Sequence, residues 1–301
     1  MFLDANGDVV SYQQITQNVG GLTTSLAVGG NHSDLVSIAG NDGGMFGSDV
    51  TGIGDLNGDG NVDIAVGNLG DDDGSGSNRG AIWILFLNSD ATVLSYHKIS
   101  AVSTDLASNL DLAGDPLDAN DNFGVCVDSI GDVNGDNIVD LAVGAYRDDD
   151  GGSNRGSVYV LFMDTDGTVK SHQKISTTQG NFNGVVDNND QFGIEVANAG
   201  DVNFDGVPDL FVGEHLDDDN VLNNSISGRQ SGAFWLLFLN SDGTVLSEQK
   251  YSATTQGLLA DAVSGNDRFG RGIASLGDIN GDCIADPVSY THLTLPTRRF
   301  V

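Results

Sequence analysis

Short apolar runs alternate with loops rich in glycine, aspartate and asparagine along most of this chain. In residues 46–100, which serve as the type unit, four apolar runs are joined by three polar loops. Runs of this kind, rich in Val, Ile, Phe and Tyr and bounded by turn-forming residues, are typical of short antiparallel strands. Apolar residues do not recur at helical spacing over any useful length. The pattern therefore predicts an all-β protein made of four-stranded antiparallel units.

The third run of each unit differs from the fourth. The runs "AIWILFL", "SVYVLFM" and "AFWLLFL" are apolar at consecutive residues, whereas "TVLSYHKIS" alternates. A continuous apolar strand is covered on both faces and an alternating strand on one, which is the arrangement in the stacked blades of a β-propeller. We therefore predict that Trp83 and Trp235, equivalent in the repeat, lie in the core between blades. A sugar-stacking platform is the alternative for these two side chains.

One acidic stretch recurs along the chain and sets the repeat length. Its first aspartates are Asp55, Asp132, Asp201 and Asp278, separated by 77, 69 and 77 residues. Self-similarity at such a period indicates a propeller or a solenoid. The repeats divide the chain into a blade end, a connector, three blades, a partial blade and a tail, at residues 1–15, 16–45, 46–100, 123–176, 192–252, 269–287 and 288–301.

Both ends of the chain depart from a whole number of repeats. "FLDANGDVVSYQQIT" from Phe2 matches "FLNSDATVLSYHKIS" from Phe86, so Met1 takes the place of a strand residue. We expect Met1 to be internal to a longer reading frame, with any signal peptide upstream. Residues 288–301 match no repeat, and "VSYTHLTLPT" resembles a translated sequencing adapter. A non-native tail is therefore predicted, with a genuine terminal strand as the alternative.

The composition favours cations as partners. The chain has 43 acidic and 12 basic residues, for a formal net charge of −31. Such a charge repels nucleic acid and anionic lipid, so no nucleic-acid partner is expected. No apolar stretch approaches about 18 residues, so no membrane insertion is expected either. Cys126 and Cys283 lie at non-equivalent repeat positions and predict no disulfide framework.

The repeated acidic stretch has the composition of a cation-binding loop. In "GDLNGDGNVDIAVG", side-chain oxygens fall at loop positions one, three, five and nine, and position seven offers a backbone carbonyl. Hard oxygen ligands in a tight turn select calcium. The candidate calcium ligands of the four copies are Asp55, Asn57, Asp59, Asn61 and Asp63; Asp132, Asn134, Asp136, Ile138 and Asp140; Asp201, Asn203, Asp205, Val207 and Asp209; and Asp278, Asn280, Asp282, Ile284 and Asp286.

Two other interpretations fit this stretch less well. An EF-hand shares the opening spacing but needs a glutamate at position twelve and a following helix. Position twelve is instead Val66, Val143 or Val212, within a predicted strand. A metal-free Asp/Asn/Gly turn would leave three or more carboxylates repelling one another in each copy. Calcium is therefore the favoured interpretation.

The four copies are not equivalent. The sixth position, where a positive φ is expected, holds Gly60, Asn137, Gly206 and Cys283. Glycine adopts this conformation freely, asparagine tolerates it and cysteine does so poorly. We expect the first and third loops to bind calcium most tightly and the fourth most weakly.

A second acidic loop follows each second strand. It begins with Asp71 to Asp73, Asp148 to Asp150 and Asp217 to Asp219, and contains Arg79, Arg155 and Arg229. A solvated hairpin held by Asp–Arg pairs is the simplest interpretation. The alternatives for this loop are a second cation site and a ligand-binding surface.

The order Phe-Gly, acidic loop, apolar strand and glycine, clearest in "FGVCVDSIGDVNGDNIVDLAVGA", resembles the FG-GAP repeat of integrin α-subunits and of many bacterial secreted proteins. The resemblance covers residues 1–287. It implies a β-propeller with structural calcium in the loop between the first and second strands of each blade. It also implies an extracellular or cell-surface module for ligand binding or cell and matrix adhesion, with a protein or glycan ligand that the sequence does not identify. The family binds ligands on the face opposite the calcium loops.

No catalytic site is expected in this chain. The five histidines share no repeat position, and neither a nucleophile elbow nor a metal-ligand histidine pair is present. The alternative is that these repeats are the propeller portion of a secreted enzyme, of phospholipase or polysaccharide-degrading type, whose catalytic domain lies elsewhere.

Overall fold

The structure is a computed structural model that describes seven segments of the chain. These are residues 2–3, 7–15, 45–72, 77–101, 117–218, 230–252 and 266–290, with only the backbone described at 2–3. The predicted connector at 16–45 therefore lies outside the described residues except for Met45. Within the described residues the structure contains 16 strands and no helix, and accordingly no helix there could cross a membrane. The all-β prediction is confirmed.

Three four-stranded antiparallel sheets form the complete blades, each with its strands in chain order. Blade 1 consists of β3 (Phe46–Gly54), β4 (Asp63–Asn68), β5 (Ala81–Leu87) and β6 (Val93–Ser100). Blade 2 consists of β7 (Val127–Gly131), β8 (Asp140–Ala145), β9 (Ser157–Met163) and β10 (Val169–Ile175). Blade 3 consists of β11 (Phe192–Gly200), β12 (Asp209–Glu214), β13 (Ala233–Leu239) and β14 (Val245–Ser252).

Two-stranded sheets flank the three blades. At one end β1 (Phe2–Leu3) pairs with β2 (Val9–Ser11), and at the other β15 (Gly272–Ser275) pairs with β16 (Pro287–Tyr290). In the second sheet Ala274 lies opposite Val288. Residues 288–290 thus occupy the position of a second blade strand. Residues 291–301 lie outside the described residues, and the non-native origin of residues 288–301 stays a prediction.

The third strand of each blade is covered on both faces, as its continuous apolar sequence predicts. Every residue of β5 and β9 is buried. One face of β9 lies in the same apolar cluster as residues of β5, and its other face lies in the same cluster as residues of β13. Trp83 and Trp235 are only 1% and 5% exposed. Trp235 lies in a cluster shared by blades 2 and 3, as predicted, whereas Trp83 lies in a cluster of blade-1 residues against which Ile15 packs. Alternating side chains of a buried strand therefore join each blade to the next.

Glycines let adjacent blades approach at backbone distance. A Cβ added to Gly67, in the second strand of blade 1, would lie 2.2 Å from the carbonyl oxygen of Gly124 in the next Phe-Gly pair. The equivalent contact in the next interface would place a Cβ of Gly144 2.0 Å from the Gly193 oxygen. Any larger residue would force the blades apart, since real Cβ atoms do not approach so closely. The glycines of the repeat are therefore packing residues.

Candidate metal-binding loops

Each acidic loop curls around its first aspartate. In the first loop the Asp55 carboxylate accepts the backbone N–H groups of Asp59 and Gly60, both at 2.8 Å. The same bonds recur at Asp132, Asp201 and Asp278, with N···O distances of 2.7–3.1 Å. Such side-chain to backbone bonds are typical of Asx turns. The turn is therefore specified within the loop itself.

The third and fifth positions continue the same pattern. Asn57 Oδ1 accepts the Asp59 N–H at 2.9 Å, and Asp59 Oδ1 accepts the Asn61 N–H at 2.8 Å. In the other copies the backbone N–H of the position-seven residue likewise bonds the fifth aspartate. These bonds hold the pKa of Asp59 below its ordinary value, the Asn61 backbone N–H being the largest cause. The seven-residue turn is thus held by hydrogen bonds among its own residues.

The ninth aspartate performs a structural role that the sequence pattern did not reveal. Asp63 is 0% exposed, and its two carboxylate oxygens accept the backbone N–H groups of Leu56 and Leu87, each at 3.0 Å. Leu87 ends the third strand, so the carboxylate fastens the loop to β5. Asp140 and Asp209 are equally buried and make the equivalent bonds at 2.9–3.1 Å. The signal was the position of each aspartate at the first residue of a second strand.

Burial makes ionisation of these ninth aspartates less favourable. Desolvation raises the pKa of Asp140 and of Asp209 to about 6, against the opposing effect of their backbone hydrogen bonds. The pKa of Asp63 is raised for the same reason. A cation at the loop would favour the ionised form and reverse this shift. In the three complete blades the donor set of the loop, carboxylate and amide oxygens beside a buried carboxylate, fits a calcium ion.

Left-handed backbone occurs at two positions of each loop, of which the sequence pattern predicted one. At the sixth position Asn137 and Cys283 have φ of 65° and 70°. At the fourth position three loops have glycine, but the third has Phe204, with φ of 61°. A side chain in this region costs about 1–2 kcal/mol. The third loop is therefore strained as well, and only the first has glycine at both positions.

The second acidic loop contains a buried ion pair in every complete blade. Asp71, Asp148 and Asp217 are at most 3% exposed, so the solvated hairpin expected from the sequence is wrong at these residues. Their carboxylates bind Lys98, Lys174 and Lys250 from the fourth strands, at 2.7, 2.7 and 3.0 Å. Each ammonium also lies 5.2–5.7 Å from the ring centre of Trp83, Tyr159 or Trp235.

The equivalent lysines in "YHKIS", "HQKIS" and "EQKYS" were the available signal for this pairing. Of the predicted arginines, Arg155 donates to Asn188 Oδ1 at 3.1 Å. Asp73, Asp219 and Arg229 lie outside the described residues. Lysine from the fourth strand, rather than arginine alone, therefore organises this loop.

Carboxylates on the first strands join neighbouring blades. Asp49 Oδ2 accepts the Val127 N–H at 2.8 Å, and Asp128 Oδ2 accepts the Asn198 N–H at 2.9 Å. Burial, with the charges of Asp49 and Asp128, raises the pKa of the nearby Glu195 to about 8. Part of the negative charge of the chain therefore belongs to acids between the blades, which are not among the candidate cation ligands.

One group of three carboxylates lies outside the candidate loops. Among the described residues, Asp190, Glu214 and Asp217 form the only group of potential metal ligands whose ligand atoms all lie within 4.8 Å of one another. Glu214 ends β12, at the opposite end of the strand from the candidate ligand Asp209. The group is thus separate from the candidate calcium loops. Of its three members only Asp217 belongs to the second acidic loop, for which the sequence left a second cation site as an alternative.

Similarity to known proteins agrees with this architecture. The family model of the FG-GAP repeat matches residues 112–162. These residues include the second copy of the candidate calcium loop, at 132–140. Integrin alpha-2 of mouse is 33% identical over 167 residues, and integrin alpha-2 of cattle is 34% identical over 158. The aligned regions cover 54% and 52% of this chain but only 12% of each relative. The FG-GAP match, together with the four-stranded blades and the repeated acidic loops, supports an integrin-like FG-GAP repeat architecture.

Proposed function

We propose that this chain is part of an extracellular, calcium-stabilised β-propeller that binds a protein or glycan ligand in cell or matrix adhesion. The observation that carries the proposal is the repeated loop architecture. In each complete blade a turn rich in side-chain oxygens is joined to a buried aspartate that fastens the third strand. A cation in that turn would act on the stability of the whole blade.

Calcium is the proposed ion because of the ligand chemistry. Positions one, three, five and nine offer carboxylate or amide oxygens in all four loops, and hard oxygen ligands in a flexible turn suit calcium better than magnesium. The ion would offset repulsion among the loop carboxylates and favour ionisation of the buried ninth aspartate. The proposed ligands are the twenty residues that the sequence pattern indicated, five in each loop.

The adhesion role rests on the similarity to integrin alpha-2. The second acidic loops begin where the second strands end, whereas the candidate calcium loops precede the first residues of those strands. We propose that ligand contacts come from the side of the second acidic loops. This role requires no catalytic group, and we propose none.

Calorimetry with calcium tests the metal assignment. We expect calcium binding to raise the melting temperature and an equal magnesium concentration to raise it less. Asp55→Ala should remove one bound ion. Asp90→Ala is the matched control, because Asp90 is an exposed aspartate whose carboxylate bonds only its own hairpin turn at Thr92. A protein that binds no calcium would contradict the assignment.

Binding to arrays of matrix proteins and glycans tests the adhesion role separately. Under the proposal, retained ligands are released when the protein is unfolded by chelation and warming, and substitutions among the connector residues weaken binding without changing the melting temperature. Absence of any ligand on arrays that capture integrins would count against this role while leaving the calcium assignment intact.

A further inference from the structure

The second candidate calcium loop has an ammonium group in contact with one of its own candidate ligands. Lys170 Nζ lies 3.0 Å from Oδ2 of Asp136, the carboxylate at the fifth position of the loop. The same ammonium lies 3.8 Å from Oδ1 of Asp164, in the turn between β9 and β10. The side chains of Lys170 and Asp136 are 37% and 31% exposed, so this contact can open while the blade stays folded.

Strand register explains why a residue of the fourth strand reaches this loop. Asp140, at the ninth position, accepts the backbone N–H of Met163 at the end of β9. Val169 lies opposite Met163, and Lys170 follows it as the second residue of β10. The buried aspartate therefore brings the loop to the point where β9 ends and β10 begins.

Blade 2 differs from the other complete blades at this point. The strand register is the same in all three blades, but the equivalents of the lysine in blades 1 and 3 are Leu94 and Leu246. These leucines are 57% and 56% exposed. The position of Asp164 has Asn88 and Asn240 instead. Among the complete blades, the lysine and the acid that shares it therefore occur together, in blade 2 alone.

The fifth-position carboxylates also accept side-chain amides. In the first loop Asp59 Oδ2 accepts the amide of Asn57 at 3.1 Å, and the third loop repeats this bond at 2.8 Å. In the second loop Asp136 Oδ2 receives the amide of Asn134 at 3.3 Å and the ammonium as well. An amide has no net charge, whereas an ammonium repels an approaching cation. The second loop is thus distinguished by charge rather than by its turn.

We propose that Lys170 is an internal cation that weakens calcium binding at the second loop and makes it the last loop of the three complete blades to fill. The proposal rests on the calcium assignment given above. Calcium lies about 2.3–2.6 Å from its ligand oxygens, so an ion on either oxygen of Asp136 would lie within about 8 Å of the ammonium. This distance is about one Debye length at physiological ionic strength, so the repulsion is only partly screened.

Lys170 gives the chain a graded response to calcium. At low calcium the ammonium offsets part of the charge of the second loop, so blade 2 depends least on the ion. Blades 1 and 3 have leucine at the equivalent strand position, and their loops take up calcium first. Asp164 limits the effect, because it shares the ammonium and adds a negative charge nearby.

Calcium titration of the full chain by calorimetry tests the proposal. Lys170→Leu introduces the residue that blades 1 and 3 have at this position, so the variant should fold. One bound ion should tighten about three- to tenfold at low ionic strength. Lys170→Arg keeps the charge and should bind calcium like the unsubstituted protein, and Asp164→Asn should weaken the same ion. Arg147→Leu is the matched control. It removes an exposed positive charge beyond the other end of β8 and should change no affinity.

Two further measurements assign the effect to the loop. In an Asp132→Ala background, which removes the first ligand of the second loop, Lys170→Leu should leave the affinity of the remaining ions unchanged. At about 1 M salt, where the Debye length is about 3 Å, the gain from Lys170→Leu should shrink. A gain that came from packing alone would persist in salt.

The outcomes separate this proposal from the calcium assignment. A protein that binds no calcium would contradict both. Calcium bound with equal affinity by the unsubstituted protein and by Lys170→Leu would overturn this proposal alone. A gain that survives in the Asp132→Ala background, or that high salt leaves unchanged, would overturn it as well.

Discussion

The candidate calcium loops that begin at Asp132 and Asp278 form the same turn. Their ninth aspartates differ in the hydrogen bonds that they accept. Asp140 is 0% exposed and accepts backbone N–H groups from its own loop and from Met163 at the end of the third strand. Asp286 accepts the N–H of the exposed Ile279 at 2.9 Å, and its second oxygen receives a long 3.4 Å contact from Asn280. The described part of the fourth unit contains β15 and β16 only. Turn formation is therefore local, whereas fastening the loop requires a third strand.

The difference shows how one carboxylate can link cation binding to blade stability. In the complete blades the aspartate that borders the candidate calcium turn is the same group that holds the third strand. A cation that orders this carboxylate would stabilise contacts more than twenty residues away in sequence. In the fourth unit the same ion would order the turn alone.

The sharpest test of this contrast removes the ninth aspartate. Asp140→Ala leaves the buried N–H groups of Val133 and Met163 without an acceptor, at a cost of about 1–3 kcal/mol each. We expect a loss of about 2–6 kcal/mol in the free energy of unfolding. Asp286→Ala removes one exposed bond and should cost about 1 kcal/mol or less. Urea unfolding in calcium-free buffer measures both, and equal losses would remove the distinction between the loops.

Calcium should act more strongly on the complete blades than on the fourth unit. A ligand at a hundredfold excess over its dissociation constant stabilises by about 2.7 kcal/mol per site. Asp59→Ala should abolish more of the calcium-dependent rise in melting temperature than the equivalent Asp282→Ala. Both fifth-position aspartates accept the backbone N–H of the position-seven residue, and Asp59 also accepts the side-chain amides of Asn57 and Asn61. The reverse order would show that the third strand does not couple to the ion.

Backbone strain offers a competing reason for a weak fourth loop. Cys283 and Phe204 both have positive φ, and glycine at either position should stabilise by about 1 kcal/mol. If strain alone weakens the fourth loop, Cys283→Gly will raise its calcium affinity to that of the first. We expect only partial recovery because the missing third strand remains. Gly60→Ala, which introduces a Cβ at a φ of 90°, is the opposite control and should weaken the first loop.

The smallest expected effect is on pH dependence. Burial raises the folded-state pKa of Asp140 and Asp209 from the ordinary 3.8 to about 6. Between these values the folded protein binds more protons than the unfolded chain, so stability of the chelated protein should fall as pH rises from about 4 to about 6.

Calcium should suppress this slope by lowering the two pKa values. Asp140→Asn should reduce the slope in chelator, and thermal melts at several pH values measure it. A slope that calcium leaves unchanged would indicate that the ion does not reach the ninth aspartate.

The sequence by itself determined the strands, their repeat and the acidic turns. Strand burial follows from the apolar pattern over seven or eight consecutive positions, which is continuous in β5 and interrupted by polar residues in β6. The turns follow from side chains bonding amides two to five residues away, as at Asp55. Both depend on short separations along the chain, which a sequence pattern displays directly. The positive φ at Phe204 was not predicted, because the other three loops have glycine at this fourth position and the sequence pattern did not show that it needs a positive φ.

Tertiary structure alone decided which charges meet. Lys250 reaches Asp217 across 33 residues and Trp235 reaches Glu214 across 21, through the register of three antiparallel strands. The close contact of Gly67 with Gly124 requires two blades to stack. The repeat placed an acid, a lysine and an aromatic ring in equivalent positions, but only strand register and blade packing bring them into contact. Burial then removes water from these groups. Residue types that stay hydrated in other loops therefore form buried ion pairs here, or carboxylates that anchor a loop to a strand.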